Sequence, residues 1–487
     1  MTSADESSTT GPAAPDGRSP DLFDVPDLFD VVVIGAGPAG ENAAGRCAEG
    51  GLSVAIVERQ LVGGECSYWG CIPSKVLLRP GDVLAAARRV DGAAAAVTGG
   101  VDAAATFARR NRFTHDWDDT SSLPWLVERD IEIVRGAGHL AGERLVDVAS
   151  PDGAVRHLRA RRAVVLATGT RASIPPIPGL ADARPWDNRT VTAAEQVPRR
   201  LLVLGGGAVG LEMAQAFRRL GAHAVTVIDV APRLLAREEP FAGAEVHAAL
   251  EAEGIAVHLG GGLSAVRRET GGTLSAVLDD GTELVGDEIL VAAGRSPATG
   301  DLGLDAVGLH PGDFVDVDDH LRATGIDGGW LYAVGDCNGR ALLTHMGKYQ
   351  ARIAADVILG KQASAFADHR VVPRVTFTDP QVCAVGLTEA QAREAGMDIR
   401  VVRVATGDVA GASLLADEFT GSSQLVIDEA RSVVIGATFV GPGVQELLHS
   451  ATVAIAGEVT VDRLWHAVPS FPTVSEVWLR LLEHYGL

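Results

Sequence analysis

The stretch "DVVVIGAGPAGENAAGRCAEGGLSVAIVER", residues 30–59, reads as strand, glycine turn, helix and strand, and that order decides the fold. An apolar run, Val31 to Ile34, leads into Gly35, Gly37 and Gly40, and a second apolar run ends at Glu58, 23 residues beyond the first glycine. Each glycine has a physical task. The first makes a tight turn, the second lets backbone approach a pyrophosphate, and the third lets the helix pack on the strand while the helix N-terminus faces the negative charge. The terminal acid then accepts hydrogen bonds from ribose hydroxyls. A single G-x-G-x-x-G is weak evidence, because glycine-rich turns are common. Here the pattern returns in "RRLLVLGGGAVGLEMAQAFRRLGAHAVTVID", residues 199–229, where Gly205, Gly207 and Gly210 follow the strand Leu201 to Leu204 and an acid, Asp229, lies 24 residues beyond Gly205. Two copies predict an α/β chain with two Rossmann-like dinucleotide-binding domains.

The stretches between and after the copies divide the chain further. "VVLATGTRASIPPIPG" (164–179) is a buried strand running into a glycine turn and prolines, the pattern of a crossing between domains, and "ILVAAGRSPAT" (289–299), with Gly294 at its turn, is a second crossing. "WLYAVGDCNG" (330–339) is a strand ending at Gly335 and Asp336, a carboxylate that can meet a sugar-like chain or serve a turn or helix cap. From about Val371 the pattern changes to short alternating strands with helices at Glu389 to Ala395 and Gln445 to Ala456. That predicts an α+β domain without a nucleotide fingerprint, with a hairpin turn at Asp428 to Ser432.

Composition narrows the partners. At 487 residues, with 47% hydrophobic residues and 57 glycines, the chain is long enough for about three globular domains. A formal net charge of −21 argues against a nucleic-acid partner, which needs clustered Lys and Arg. The first 27 residues are rich in Ser, Thr, Pro, Gly and Asp, with neither a basic nor an apolar leader region, so a disordered tail is expected over 1–27 and not a secretory signal. No apolar run reaches the roughly 18 residues of a membrane span. A cytoplasmic location without a membrane partner is therefore expected.

Five cysteines, Cys47, Cys66, Cys71, Cys337 and Cys383, are too few and scattered for a secreted disulfide framework. Only Cys66 and Cys71 are close, in "GGECSYWGCIPSK", residues 63–75. A structural zinc site would want tighter spacing and two more ligands; no second Cys or His cluster is visible, and no metal is expected. In an ideal helix, Cα atoms five residues apart are separated by about 8.6 Å, beyond the roughly 7 Å a disulfide spans. A bridge therefore requires Cys66 in irregular backbone and Cys71 near the start of the next helix. Gly63, Gly64 and Gly70 supply that freedom, and Pro73 suits a first helical turn. A helix N-terminus stabilises thiolate, and Lys75 lies one turn beyond Cys71 on the same face. Spacing alone leaves a structural bridge and a redox pair both open, and the expected reducing compartment favours the second.

With both fingerprints and the "ATG" and "GDC" segments in order, "GGECSYWGCIPSK" resembles the G-G-x-C-x(4)-G-C-I-P-[ST]-K motif of the class I pyridine nucleotide–disulfide oxidoreductases, the family of dihydrolipoamide dehydrogenase, glutathione reductase and mercuric reductase. The resemblance covers about residues 28 to 487. It implies an FAD-binding domain in two parts, 28–174 and 295–370, an NAD(P)-binding domain at 175–294, and an α+β dimerisation domain at 371–487. By the same resemblance, Gly35, Gly37, Gly40 and Glu58 would hold the adenosine half of FAD, and Asp336 its ribityl chain. Leu342, Leu343, Thr344 and His345 would form the helix start whose backbone faces the flavin pyrimidine, and Gly138, Thr168, Gly169 and Thr170 would line FAD. Cys71 would be the thiol contacting the flavin, Cys66 the outer thiol exchanging with substrate, and Lys75 the partner of Glu212 where nicotinamide delivers hydride. Gly205, Gly207, Gly210, Asp229 and Gly294 would hold the nicotinamide coenzyme; Asp229 favours NADH, and Arg233 leaves NADPH open. The implied assembly is a homodimer whose active site is completed across the interface, acting on a small-molecule electron acceptor.

One segment departs from the family. Disulfide-reducing members carry His-Pro-Thr-x-x-Glu near the C-terminus, the His serving as acid–base partner of the outer thiol. The matching segment is "FPTVSE", residues 471–476: Glu476 is kept, and Phe471 stands in the place of the His. Phe cannot exchange a proton with Cys66, a role worth about 10²–10⁴-fold in rate. No cysteine follows Cys383, which disfavours mercury reduction. Tyr68 and Trp69 add bulk near the outer thiol. The expected function is an NAD(P)H-dependent FAD oxidoreductase passing electrons through Cys66 and Cys71 to a small disulfide or other acceptor. The alternatives are a quinone or metal-ion reductase working from the flavin, and a redox-sensing flavoprotein with little turnover.

Overall fold

The computed structural model describes residues 26–487; the tail expected over 1–27 lies outside them except for its last two residues, and Asp27 already opens the first strand. The apolar runs of the first fingerprint become β1 (Asp27–Ile34) and β2 (Val54–Glu58), joined by α1 (Pro38–Glu49). Val31–Val33 and Val54–Val57 are wholly buried, as parallel strands covered on both faces must be. The chain continues through α2 (Gly64–Tyr68), α3 (Cys71–Arg88), α4 (Ala103–Phe113) and α5 (Leu123–Val127) to β3 (Ile131–Arg135), β4 (Ala137–Gly142), β5 (Leu145–Ala149) and β6 (Val155–Leu166). The first sheet has the order β3-β2-β1-β6-β5-β4. β1, β2, β3 and β6 run parallel, while β4 and β5 are antiparallel to their neighbours.

The second fingerprint repeats this. After β7 (Thr170–Ala172) and α6 (Asn188–Ala193), β8 (Arg200–Leu204), α7 (Ala208–Arg219), β9 (Ala224–Asp229), α8 (Pro240–Ala252) and β10 (Ile255–Leu259) lead through the antiparallel strands β11 (Leu263–Arg268), β12 (Leu274–Leu278) and β13 (Glu283–Gly286) to β14 (Glu288–Val291). The sheet order β10-β9-β8-β14 is entirely parallel. β15 (Arg295–Pro297) then pairs antiparallel with β7, so the two chain crossings are hydrogen-bonded to each other. β16 (Leu331–Ala333) returns to the first sheet beside Val164–Leu166 of β6, and α9 (Thr344–Ile358) packs against α1 through Ala351, Ala354 and Ala355.

The C-terminal part is a five-stranded antiparallel sheet, ordered β17 (Arg374–Thr376), β18 (Gln381–Gly386), β21 (Val433–Gly441), β20 (Ser422–Asp428), β19 (Ile399–Ala405), with its own core around Phe439, Val477 and Leu481. The chain is thus a mixed, largely parallel sheet, a fully parallel four-stranded sheet and an α+β C-terminal domain. Among the described residues no helix is long and apolar enough to cross a membrane.

Candidate active site

The two glycine turns are near copies of each other. A Cβ on Gly35 would sit 2.5 Å from the Ala167 carbonyl oxygen, and one on Gly40 would sit 1.8 Å from that of Gly35. In the second copy the distances are 2.4 Å from Gly205 to the Ala292 oxygen and 1.9 Å from Gly210 to the Gly205 oxygen. No side chain fits at these positions, whereas the backbone of Gly37 and Gly207 faces open space or a distant neighbour. Both terminal acids also hold their own turns: Glu58 Oε2 accepts from the Ala36 N–H at 2.8 Å, and Asp229 Oδ2 from the Gly206 N–H at 2.5 Å.

A cleft of about 470 Å³ runs from the first turn to the cysteines and on to the start of α7. It gathers Gly35, Gly37, Glu58, Gly138, Thr168, Gly169, Thr170, Asp336, Leu342, Leu343 and Thr344 with Cys66, Cys71, Lys75 and Glu212. Gly40 stands behind it, closing helix onto strand. Gly205, Gly207, Gly210 and Asp229 form the second turn, next to the cleft through Ala208 and Val209, and Gly294 (φ +136°) opens the returning crossing. Of "LLTH", Leu342, Leu343 and Thr344 line the cleft, while the His345 side chain turns to the C-terminal domain, its Nε2 2.8 Å from the Pro373 carbonyl oxygen. Glu476 is not brought to the cleft of its own chain. It sits in the short helical turn Val474–Glu476, its Oε2 buried and without a partner among the described residues, and Phe471 nearby is 76% exposed.

The cysteines correct a second expectation. Cys66 does not lie in irregular backbone but within α2, a five-residue helix whose N-cap, Gly63, has φ +108°. The required break comes after it, at Trp69 and Gly70, and Cys71 is the first residue of α3. All five cysteines are free thiols, with Cys66 and Cys71 in hydrogen-bonding reach of one another. Cys71 is pushed down to about 6, first by the Cys66 thiol donating to it, then by Thr344, whose Oγ1 lies 3.2 Å from its sulfur, and by the Lys75 charge. Cys66 is pushed up, because the proton is held in its bond to Cys71 and the sulfur is largely buried. Two helix N-termini, of α3 and α9, meet at the Cys71 sulfur and favour its negative charge. The surroundings therefore favour negative charge on Cys71 over Cys66.

Lys75 Nζ is 2.7 Å from Glu212 Oε2 and lies over the Phe377 ring, and the other carboxylate oxygen accepts from the Phe377 N–H at 3.0 Å. Burial raises Asp336 above the usual carboxylate range, and Thr170 Oγ1 donates to it at 2.7 Å. Thr168 Oγ1 is buried in the cleft wall without a partner among the described residues. A cleft with an orphaned hydroxyl, a half-satisfied carboxylate and a glycine turn at a helix N-terminus has the donor set of an extended dinucleotide carrying a polyol, and the residues present fit FAD. At the second turn, Arg233 donates to the Leu235 and Ala236 carbonyl oxygens at 3.1 and 2.6 Å, so its guanidinium is engaged by its own loop.

Four polar residues around the cysteines were not read from the sequence as site residues. Glu65, Asn188, Arg189 and Arg295 line the cleft and bond to one another: Arg189 forks Glu65 Oε2 at 2.6 and 3.0 Å, and Asn188 Nδ2 donates to Glu65 Oε1 at 2.6 Å. Arg295 lies in the second crossing and could have been found there; Asn188 and Arg189 carry no local signal.

A model of the pyridine nucleotide-disulphide oxidoreductases matches residues 29–354, and one of the dimerisation domain of the same family matches residues 372–481. Among curated relatives, dihydrolipoyl dehydrogenase of Chlorobaculum tepidum is 34% identical over 457 residues, covering 92% of this chain and 95% of that one, and its counterpart from Mycobacterium tuberculosis is 32% identical over 92% and 96%. Two solved structures share the fold at 24% identity. LpdA from Mycobacterium tuberculosis has a TM-score of 0.84 over 95% of this chain and all of its own, and the HOCl-induced flavoprotein disulfide reductase RclA from Escherichia coli, as a Cu(II) complex, has 0.82 over 94% and 99%.

Proposed function

Because this chain belongs to the pyridine nucleotide-disulphide oxidoreductase family, we propose that Cys66 and Cys71 are its working redox pair, carrying electrons from NADH by way of FAD to a small acceptor. The chain is an FAD-dependent oxidoreductase and a homodimer through its C-terminal domain. Bound FAD supplies the two-electron chemistry, accepting hydride from reduced nicotinamide and passing the electron pair to a disulfide. The observation that carries the reading is geometric: Cys66 and Cys71 line one cleft, with the Thr344 hydroxyl 3.2 Å from the Cys71 sulfur and the Lys75–Glu212 pair lining the same cleft.

Each residue then has a task. Opening a Cys66–Cys71 disulfide takes two electrons and, at neutral pH, one proton. The proton stays on Cys66, and Cys71 keeps the charge, stabilised by Lys75, Thr344 and two helix ends. Glu212 holds Lys75 at the cleft edge, where the coenzyme bound on Gly205, Gly207, Gly210, Asp229 and Gly294 would reach. Glu58 and Asp336 would hold the sugar and ribityl hydroxyls of FAD, with Gly138, Thr168, Gly169, Thr170, Leu342 and Leu343 against its length. Asp229, with Arg233 engaged elsewhere, supports NADH over NADPH. A cytoplasmic setting, where free thiols persist, suits five unbridged cysteines.

The acceptor is set by the partner subunit's surface at Cys66, where the active site is completed. There the exposed Phe471 offers bulk without a proton, which favours acceptors that need no acid at the outer sulfur, including a quinone or metal ion reduced from the flavin itself. The test is a steady-state panel of disulfides, quinones and metal ions with NADH and NADPH, on wild type and Cys66→Ala. Loss of turnover in Cys66→Ala for every accepted substrate supports the cysteine route; full turnover of a quinone or metal ion by that variant assigns reduction to the flavin and refutes it.

A further inference from the structure

Residues 115–117 adopt left-handed backbone one after another: His115 at φ 48°, Asp116 at 50° and Trp117 at 59°. L-residues with a Cβ adopt this conformation rarely and at a cost, and three in a row persist only where their surroundings impose it. What the turn touches is α2, the short helix that carries Cys66. Trp117 Nε1 donates to the Tyr68 carbonyl oxygen at 3.2 Å, the Tyr68 hydroxyl donates to the Asp118 carbonyl oxygen at 3.4 Å, and Asp119 Oδ2 accepts from the Val62 N–H at 2.7 Å. Both ends of α2 are thereby tied to one turn.

The opposite side of α2 is held by α6. Asn188 Nδ2 and Thr192 Oγ1 donate to the Trp69 carbonyl oxygen at 3.0 and 3.3 Å, and the Arg189 guanidinium, forked on Glu65, lies 4.3 Å over the Trp69 ring. One residue joins the two sides. Arg110 is 1% exposed and makes no ion pair among the described residues. Its guanidinium stacks on Trp117 at 5.2 Å, and its Nη1 donates to the carbonyl oxygens of Thr192 and Ala194 at 2.5 and 2.9 Å. A buried arginine without a carboxylate is costly, and here it is spent on closing a ring around five residues.

We propose that this ring is a brace for α2, and that Arg110 and Trp117 are positioning residues which set the disulfide–dithiol equilibrium of Cys66 and Cys71. The proposal rests on the reading of these cysteines as the redox pair. A disulfide demands Cα atoms within about 4.4–6.8 Å, while two thiols tolerate a wider range. Two electrons and one proton turn the S–S bond into the Cys66 thiol and Cys71 thiolate, and a helix free to back away gains more from that step than a braced one. Loosening the brace therefore favours the dithiol.

The test is the midpoint of the pair in the purified holoenzyme, equilibrated with dithiothreitol and its oxidised form at stepped ratios, trapped by alkylation and read by mass. Trp117→Phe, which keeps the ring and removes the donor, and Arg110→Met are expected to shift the equilibrium constant toward dithiol by about three- to tenfold, or about 15–30 mV for a two-electron couple. Midpoints indistinguishable from wild type in both variants overturn the proposal, even if melting temperatures fall, since a merely structural role would move only the latter. Should either variant fail to fold, Tyr68→Phe, which deletes one hydroxyl, carries the same expectation in sign and the same refutation. A wild-type protein whose Cys66 and Cys71 never interconvert with a disulfide would instead refute the redox reading itself.

Discussion

The Thr344 hydroxyl, 3.2 Å from the Cys71 sulfur, gives a quantitative test of how the thiolate is made. In the thiolate form the hydroxyl must donate, so it stabilises the charged state and helps hold Cys71 at about 6. Thr344→Val keeps the shape and removes the donor. A hydrogen bond to a charged group contributes about 1.5–3 kcal/mol when buried; Cys71 is open to solvent, and about 1 kcal/mol is the appropriate scale. At 1.36 kcal/mol per pH unit, the titration midpoint should climb by about half to one unit. The thiolate fraction at pH 6 would then fall from about half to between about a quarter and a tenth, while at pH 8.5 it would barely change. The alkylation rate of the reduced protein with iodoacetamide, followed from pH 5 to 8.5, should show this as a loss of about two- to fivefold at pH 6 and about three- to ninefold at pH 5, and almost none at pH 8.5. Thr344→Ser, which restores the donor, should titrate as wild type. Identical midpoints for Thr344 and its Val variant, or a wild-type midpoint above 8, would refute this account of Cys71.

Cys71→Ser should abolish the long-wavelength absorbance expected when a thiolate lies against the flavin after two-electron reduction; its persistence in a reduction titration would remove Cys71 from that role. Phe471→His, which restores the histidine of the family segment, should raise disulfide turnover by up to about 10²-fold with a new inflection near pH 6.5, and an unchanged pH–rate profile would show that position 471 has no bearing on the site. Gly210→Ala drives a Cβ to 1.9 Å from the Gly205 oxygen; the KM for NADH should rise at least about tenfold while bound FAD, counted by absorbance, stays stoichiometric.

The fingerprints were legible because their demands are local: no residue but glycine survives 1.8 Å from a carbonyl oxygen, whatever the rest of the fold does. The cysteine pair was legible for the same reason, as spacing between glycine turns. Cys66 was misplaced in irregular backbone because the helical turn around it is imposed from outside, by residues 110–119 and 188–192, which share no pattern with it. Arg110 stands among three arginines of α4, yet it is wholly buried, since its carbonyl partners come from a segment more than 80 residues away. His345 shows a similar limit. Its backbone follows the motif, and its side chain follows a contact that only the C-terminal domain provides.

The antiparallel pair of β7 and β15 has a consequence for modularity. Ala172 stands opposite Arg295, and Thr170 opposite Pro297, so the chain leaves the first domain and re-enters it at neighbouring points about 5 Å apart. Everything between is a closed loop of chain with touching ends, a cassette that can be lifted out or exchanged without leaving a gap to bridge. The same loop carries Asn188, Arg189 and Glu212, which reach across to Trp69, Glu65 and Lys75 beside the cysteines, so a related cassette spliced at this step should leave the thiol chemistry in place only where it brings those three contacts with it.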